Sequence, residues 1–131
     1  MSTRTARCSC GQLSVQCSGE PIAVGLCHCR ECQRRSGNVF SVQARFLNEQ
    51  LKVEGTSSVY ERSGDTGKNC RFQFCPNCGS TVLWTAEGLE NHTIVAVGAF
   101  ADESFPKPNY SVYEARQHPW VTLSHELEHY D

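Results

Sequence analysis

Apolar and polar residues alternate along most of this chain, in short runs. "QLSVQC", "NVFSVQARF", "CRFQFC" and "HTIVAVGAF" show the period of two that turns one face of a strand toward a core. "PIAVGLC", "LKVEG", "SSVYERS", "STVLWT" and "YSVYEA" are rich in β-branched and aromatic residues. Gly, Pro, Asn or Asp separates the runs at the spacing of a small all-β sandwich or barrel-like pair of sheets. No segment carries a sustained 3.6-residue stripe, and a turn or two of helix is expected only around Arg30 to Ser36. Two polar stretches, "RSGDTGKN" (62–69) and "ADESFPKPN" (101–109), read as surface loops rather than linkers. The pattern therefore predicts a mainly β fold of short antiparallel sheets with little helix. One domain over residues 1–131 suffices, because that length can bury a real core.

Apolar content of 39%, charged content of 20% and a net charge of -2 are those of a soluble globular protein without a global field for nucleic acid or an anionic membrane. The abnormal quantity is cysteine, with nine residues. An odd total, and an opening "MSTRTARCSC" without the apolar run of a secretion signal, argue against an extracellular disulfide framework. No stretch approaches the roughly 18 apolar residues of a membrane span. The expectation is a cytoplasmic protein whose reduced thiols bind metal or react.

Seven of the nine thiols fall into three groups: Cys8 and Cys10 in "CSCG", Cys27, Cys29 and Cys32 in "CHCREC", and Cys75 and Cys78 in "CPNCG". Residues two apart on a strand face the same way, so a C-x-C pair can present both sulfurs to one ion. "CPNCG" has the form of a zinc knuckle, with Gly79 available for the tight turn. Joined, Cys8, Cys10, Cys75 and Cys78 complete a closed tetrahedral set and tie the first strand to one late in the chain. The triplet supplies only three thiolates, the arrangement of zinc sites that keep a coordination position open. Three thiolates make zinc a poor activator of water, so a soft anionic fourth ligand, a substrate thiolate, suits it better. If instead the protein closes this site too, Cys70, Cys17, His28 or His92 would supply the ligand. His28 lies between two ligands and alternation points it away; Cys17 follows Leu13 and Val15 and reads as core.

Taken together, "CSCG", "CHCRECQRRSG" and "FCPNCGS", with "SVYERS" before the knuckle, "GSTVLW" after it and a closing "HPWVTL", resemble the glutathione-dependent formaldehyde-activating family, whose domain is of the CENP-V type. The resemblance implies a β-tent fold with two zinc ions, a structural one on Cys8, Cys10, Cys75 and Cys78 and an active one on Cys27, Cys29 and Cys32. It also implies a carbon-sulfur lyase that joins formaldehyde to the thiol of glutathione as S-hydroxymethylglutathione. The alternative is a zinc-stabilised binding module that carries a thiol or recognises a protein without turnover.

Glutathione carries two carboxylates, so cations are expected beside the metal. Arg30, Arg34 and Arg35 surround the triplet, Lys68 and Arg71 precede the knuckle, and Ser36 with Gly37 could present a turn to an anion. "HELEH" (125–129) matches the zinc-protease motif in letters only, since no helix and no third ligand accompany it, and it reads as a solvated tail.

Overall fold

A computed structural model of the chain describes residues 2–64, 67–124 and 126–131. In chain order its strands are β1 (Thr3–Arg7), β2 (Ser14–Ser18), β3 (Ala23–Cys27), β4 (Ser41–Leu47), β5 (Leu51–Glu54), β6 (Ser58–Ser63), β7 (Asn69–Phe74), β8 (Thr81–Ala86), β9 (His92–Ala96), β10 (Tyr110–Val112) and β11 (Glu128–His129). Among the described residues a single α-helix, α1 (Arg30–Ser36), follows β3, where the sequence predicts a helical turn; three-residue and four-residue 3-10 turns complete the regular structure. The alternating runs became strands because each could bury one face. The two loops read from sequence lie between β6 and β7 and between β9 and β10, with Asp65 and Thr66 of the first outside the described residues.

Two sheets result. The smaller has the order β1-β2-β5, and the larger runs β11-β10-β3-β4-β9-β8-β7-β6. Pairing is antiparallel except at one edge, where β10 lies parallel to both β3 and β11. That edge departs from the antiparallel expectation because the chain leaves β9 in mid-sheet and reaches the far side of β3 only after residues 97–109. Among the described residues no helix is long and apolar enough to cross a membrane.

The large sheet separates two cores. Ala44, Val95 and Leu83 stand side by side across β4, β9 and β8, with Phe46 also on β4, and face the small sheet, where they share a core with Leu13, Val15 and the buried thiol of Cys17. Leu13 and Phe46 have no exposed surface, and each such side chain contributes on the order of 1.5–3 kcal/mol through burial. Cys17 is thus a core residue, as its alternation implies. One residue along each strand, Phe72, Trp84 and Ile94 line up across β7, β8 and β9 and form the second core on the opposite face. Phe72 and Trp84 pack at 5.4 Å between ring centroids, within the range of a favourable tilted pair.

The second face is closed at one side by α1 and the C-terminal segment. Gln33 of the helix donates from Nε2 to the His28 carbonyl at 2.9 Å, and its Oε1 lies 2.9 Å from Nε2 of His118. β10 is held to the body by His28, whose Nε2 lies 3.0 Å from Ser111 Oγ, and β11 is tied to the turn after β10 by the Glu114–His129 contact at 2.6 Å.

Candidate metal and thiol site

The first cysteine group assembles as spacing predicts. Cys8 follows the end of β1, Cys10 sits two residues on, and Cys75 and Cys78 bracket the turn between β7 and β8. Their four sulfurs all lie within 4.8 Å of one another, with Cys8–Cys10 at 3.7 Å and Cys10–Cys75 at 3.6 Å. Four sulfurs about 2.3 Å from a central zinc define a tetrahedron with edges of about 3.8 Å, so the cluster has the size of a zinc shell. The knuckle is shaped by Gly79, at φ +82°, whose N–H donates to the Cys75 carbonyl at 2.8 Å. Surrounding donors suit thiolates: Leu13 N–H points at Cys8 Sγ (3.3 Å), Asn77 N–H at Cys75 Sγ (3.3 Å) and Gln12 Nε2 at Cys75 Sγ (3.0 Å). Hydrogen bonding to Ser80 brings the Cys78 thiol down to about 5.

The second group is built by a strand running into a helix. Cys27 is the last residue of β3, Cys29 caps the N-terminus of α1, and Cys32 lies in its first turn. The cap sulfur accepts the Cys32 N–H at 3.3 Å. Residues i and i+3 share a helix face, which brings Cys32 beside Cys29, and the three sulfurs lie within 4.8 Å of one another. Hydrogen bonding from Cys27, then Cys29, holds the Cys32 thiol down to about 2 against the cost of burial, with Ser41 and Arg35 adding to it. Hydrogen bonding to Cys29 and Cys32 pushes Cys27 up. A three-sulfur set of this spacing fits a soft divalent cation such as zinc.

The triplet opens onto a cavity of about 340 Å³. Phe72, Trp84, Leu89 and Ile94 form its apolar wall, and Arg35, Arg62 and Lys68 bring positive charge. Tyr113 also lines it and holds a left-handed backbone, φ +58°, which a non-glycine residue adopts at a cost. Of the residues considered as a fourth ligand, Cys70 lines this cavity but stands outside the three-sulfur cluster. His92 is on another surface, with Nδ1 3.0 Å from the Glu90 carbonyl. His28 is fully buried, is held below its usual pKa by that burial, and turns away from the cavity toward Ser111.

The predicted cations separate. Arg35 is the arginine of α1 that enters the cavity, stacking its guanidinium 4.3 Å from the Trp84 ring. Arg30 and Arg34 border an adjoining hollow shared with Cys29, Glu31, Tyr113 and Arg116, and Arg34 pairs with Glu31 at 2.7 Å. Ser36 lies outside the cavity: its Oγ donates to the Cys32 carbonyl at 2.7 Å. Gly37 cannot offer its N–H to an anion, because that group caps the helix on the Gln33 carbonyl at 2.9 Å. Arg71 projects from the opposite face of β7 and pairs with Glu61. In "HELEH", Glu128 and His129 form the short exposed strand β11, while His125 lies outside the described residues.

Arg62, Phe72, Trp84 and Tyr113 were not singled out from sequence. Strand parity was the available signal for one of them: Phe72 lies two residues from Cys70 on β7 and shares its face, whereas Arg62 reaches that face only through its pairing with Cys70.

A family model described as glutathione-dependent formaldehyde-activating enzyme matches residues 3–116. Among solved structures, the crystal structure of a Rhodobacter sphaeroides protein superposes with a TM-score of 0.58, covering 78% of this chain and 90% of that one at 20% identity. A likeness at that identity speaks for the fold alone. Comparison with curated proteins returned no significant match.

Proposed function

Because this chain belongs to the glutathione-dependent formaldehyde-activating enzyme family, we propose that it is a carbon-sulfur lyase joining formaldehyde to the thiol of glutathione. A sulfur–carbon bond forms, the carbonyl oxygen becomes a hydroxyl, and the thiol proton is the one gained, so the product is S-hydroxymethylglutathione with no redox partner. The supporting observation is the convergence of Cys27, Cys29 and Cys32 on the wall of a cavity, with the other cavity cysteine, Cys70, outside the cluster.

Two zinc ions are proposed, one held by Cys8, Cys10, Cys75 and Cys78 and one by Cys27, Cys29 and Cys32. Zinc on the triplet would supply a positive charge that keeps a thiol ionised at neutral pH. The chain's own residues do the rest. Phe72, Trp84 and Ile94 exclude water from one side of the cavity, which strengthens every charge interaction within it. Arg35 offsets the negative charge gathered by the sulfurs. Arg30 and Arg34, on the adjoining hollow, offer cations to the far end of an extended tripeptide. His28 is not a proton donor to the substrate in this reading, since its ring is committed to Ser111 behind the sulfurs.

Metal content and thiol-dependent formaldehyde consumption test the proposal together. Cys29→Ser should remove one ion per chain and abolish consumption above the uncatalysed rate while the fold is retained. Full activity in a variant that has lost that ion would exclude the triplet as the reaction centre.

A further inference from the structure

Two arginines that arrive from different parts of the chain share the cavity wall. Arg35 comes from α1, and Arg62 comes from β6 at the edge of the large sheet. Both guanidinium groups lie against the same aromatic pair: Arg35 is 5.3 Å from the Phe72 centroid and 4.3 Å from that of Trp84, and Arg62 is 5.1 Å from Phe72. Stacking sets both groups on the cavity wall.

Several N–H groups of the two guanidiniums lack partners among the described residues. Nε and Nη2 of Arg35 and Nε of Arg62 are buried without a hydrogen-bond acceptor, and among the described residues neither arginine forms an ion pair with a carboxylate. The acids on the cavity wall are engaged elsewhere, Glu31 with Arg34 and Glu87 as acceptor of the Asn69 N–H at 2.7 Å. Cys27 and Cys32 border the same cavity as Arg35. Arg62 stands there as a cation beside a cation in a partly desolvated cavity, and among the described residues no carboxylate pairs with it.

We infer that Arg62, with Arg35 beside it, is an anion subsite that grips a carboxylate of the incoming thiol and so selects carboxylated over neutral thiols. The inference rests on the reading that the triplet's cavity takes a thiol. A guanidinium stacked on an aromatic ring presents a planar fork that a carboxylate matches with two hydrogen bonds, a fit that a lysine ammonium does not reproduce.

The test uses the full-length zinc-loaded protein and two small probes, 3-mercaptopropionate and 2-mercaptoethanol, with glutathione as a third. Binding is measured by calorimetry, so the result does not depend on turnover. In Arg62→Gln the ratio of 3-mercaptopropionate to 2-mercaptoethanol affinity should fall by about tenfold, the size expected for a lost charge-assisted hydrogen bond. Arg62→Lys should recover only part of that ratio. Equal losses for both probes, an unchanged ratio, or failure of the wild type to bind either thiol would each overturn the subsite. Discrimination that persists in a protein unable to consume formaldehyde would leave the subsite standing and remove the lyase reading. Thermal unfolding and zinc content of Arg62→Gln should match wild type, and a shift in either would assign the residue to the fold instead.

Discussion

The ring of Tyr110 lies across Gly25: a Cβ at residue 25 would stand 2.1 Å from Tyr110 Cζ and 2.4 Å from Cε2. The two residues are register partners in the parallel β3–β10 pairing, so the absence of a side chain on β3 is what lets β10 carry an aromatic ring there. β10 also carries Ser111, the partner of His28 between Cys27 and Cys29, so this contact bears on the alignment of the sulfurs.

Gly25→Ala should therefore cost about 1–3 kcal/mol, the range for overpacking a filled position. The ring, not the backbone, is the part free to move. A double-mutant cycle with Tyr110→Ala, followed by urea unfolding, should give a coupling of at least about 1 kcal/mol, as contacting residues do. Additive effects would mean that the two side-chain positions do not compete.

The two sulfur groups should respond differently to mutation. Cys75 is fully buried and joins the β7–β8 turn to the segment after β1. Cys75→Ala should lose one zinc per chain and at least about 4 kcal/mol of stability, where losses of a structural metal fall. Cys29→Ser should lose one zinc with a far smaller fall in stability, because its loop is anchored independently by α1 and the Gln33 hydrogen bond. Metal analysis alongside denaturant unfolding separates the two.

Cys17 gives a pH signature. Burial pushes its thiol up to about 12, with Arg4 opposing the shift, while an unfolded thiol ionises near about 8.5. A group whose folded pKa is raised adds stability that is complete below the unfolded value and is lost as pH climbs toward the folded one. The difference in stability between wild type and Cys17→Ala should therefore be constant below about pH 8 and shrink between about pH 9 and about pH 12. A difference that grows with pH would contradict the burial of this thiol.

Tyr113 holds a left-handed backbone beside the cavity. Tyr113→Gly relieves that conformation but adds chain entropy and removes the ring with its contacts, so a net loss of stability is expected in urea unfolding. Thiol affinity should also fall, because the ring is part of the wall. Calorimetric titration of the zinc-loaded variant with glutathione would show it; unchanged affinity would make the strained backbone incidental.

The sulfurs were legible in the sequence because their geometry is local: C-x-C across a strand end and C-x-x-C at a helix start or knuckle are set within a few residues. The strands were legible for the same reason. Arg62 and Trp84 were not, since they reach the triplet only through the β6–β7–β8 pairings, and pairing partners are fixed by the whole sheet. Arg71 shows how narrow the margin is. It lies one residue from both Cys70 and Phe72, and that single step of alternation sends it to the opposite face. Ser36 and Gly37 likewise looked available for a ligand until the helix end consumed their hydrogen-bonding groups.

The four-sulfur cage spans a long stretch of chain, with Cys10 and Cys75 separated by 65 positions. At a synthesis rate of about 5–20 residues per second, the ribosome delivers the second pair of sulfurs roughly 3–13 s after the first. In that interval the nascent chain holds a tight triplet and a lone pair, each able to take up a cation and neither able to enclose one. Metal capture at the cage is thereby deferred until β1 to β7 have been made, with β8 to β11 still to come, so the ion can tie the two ends of that stretch together before the middle of the large sheet is filled.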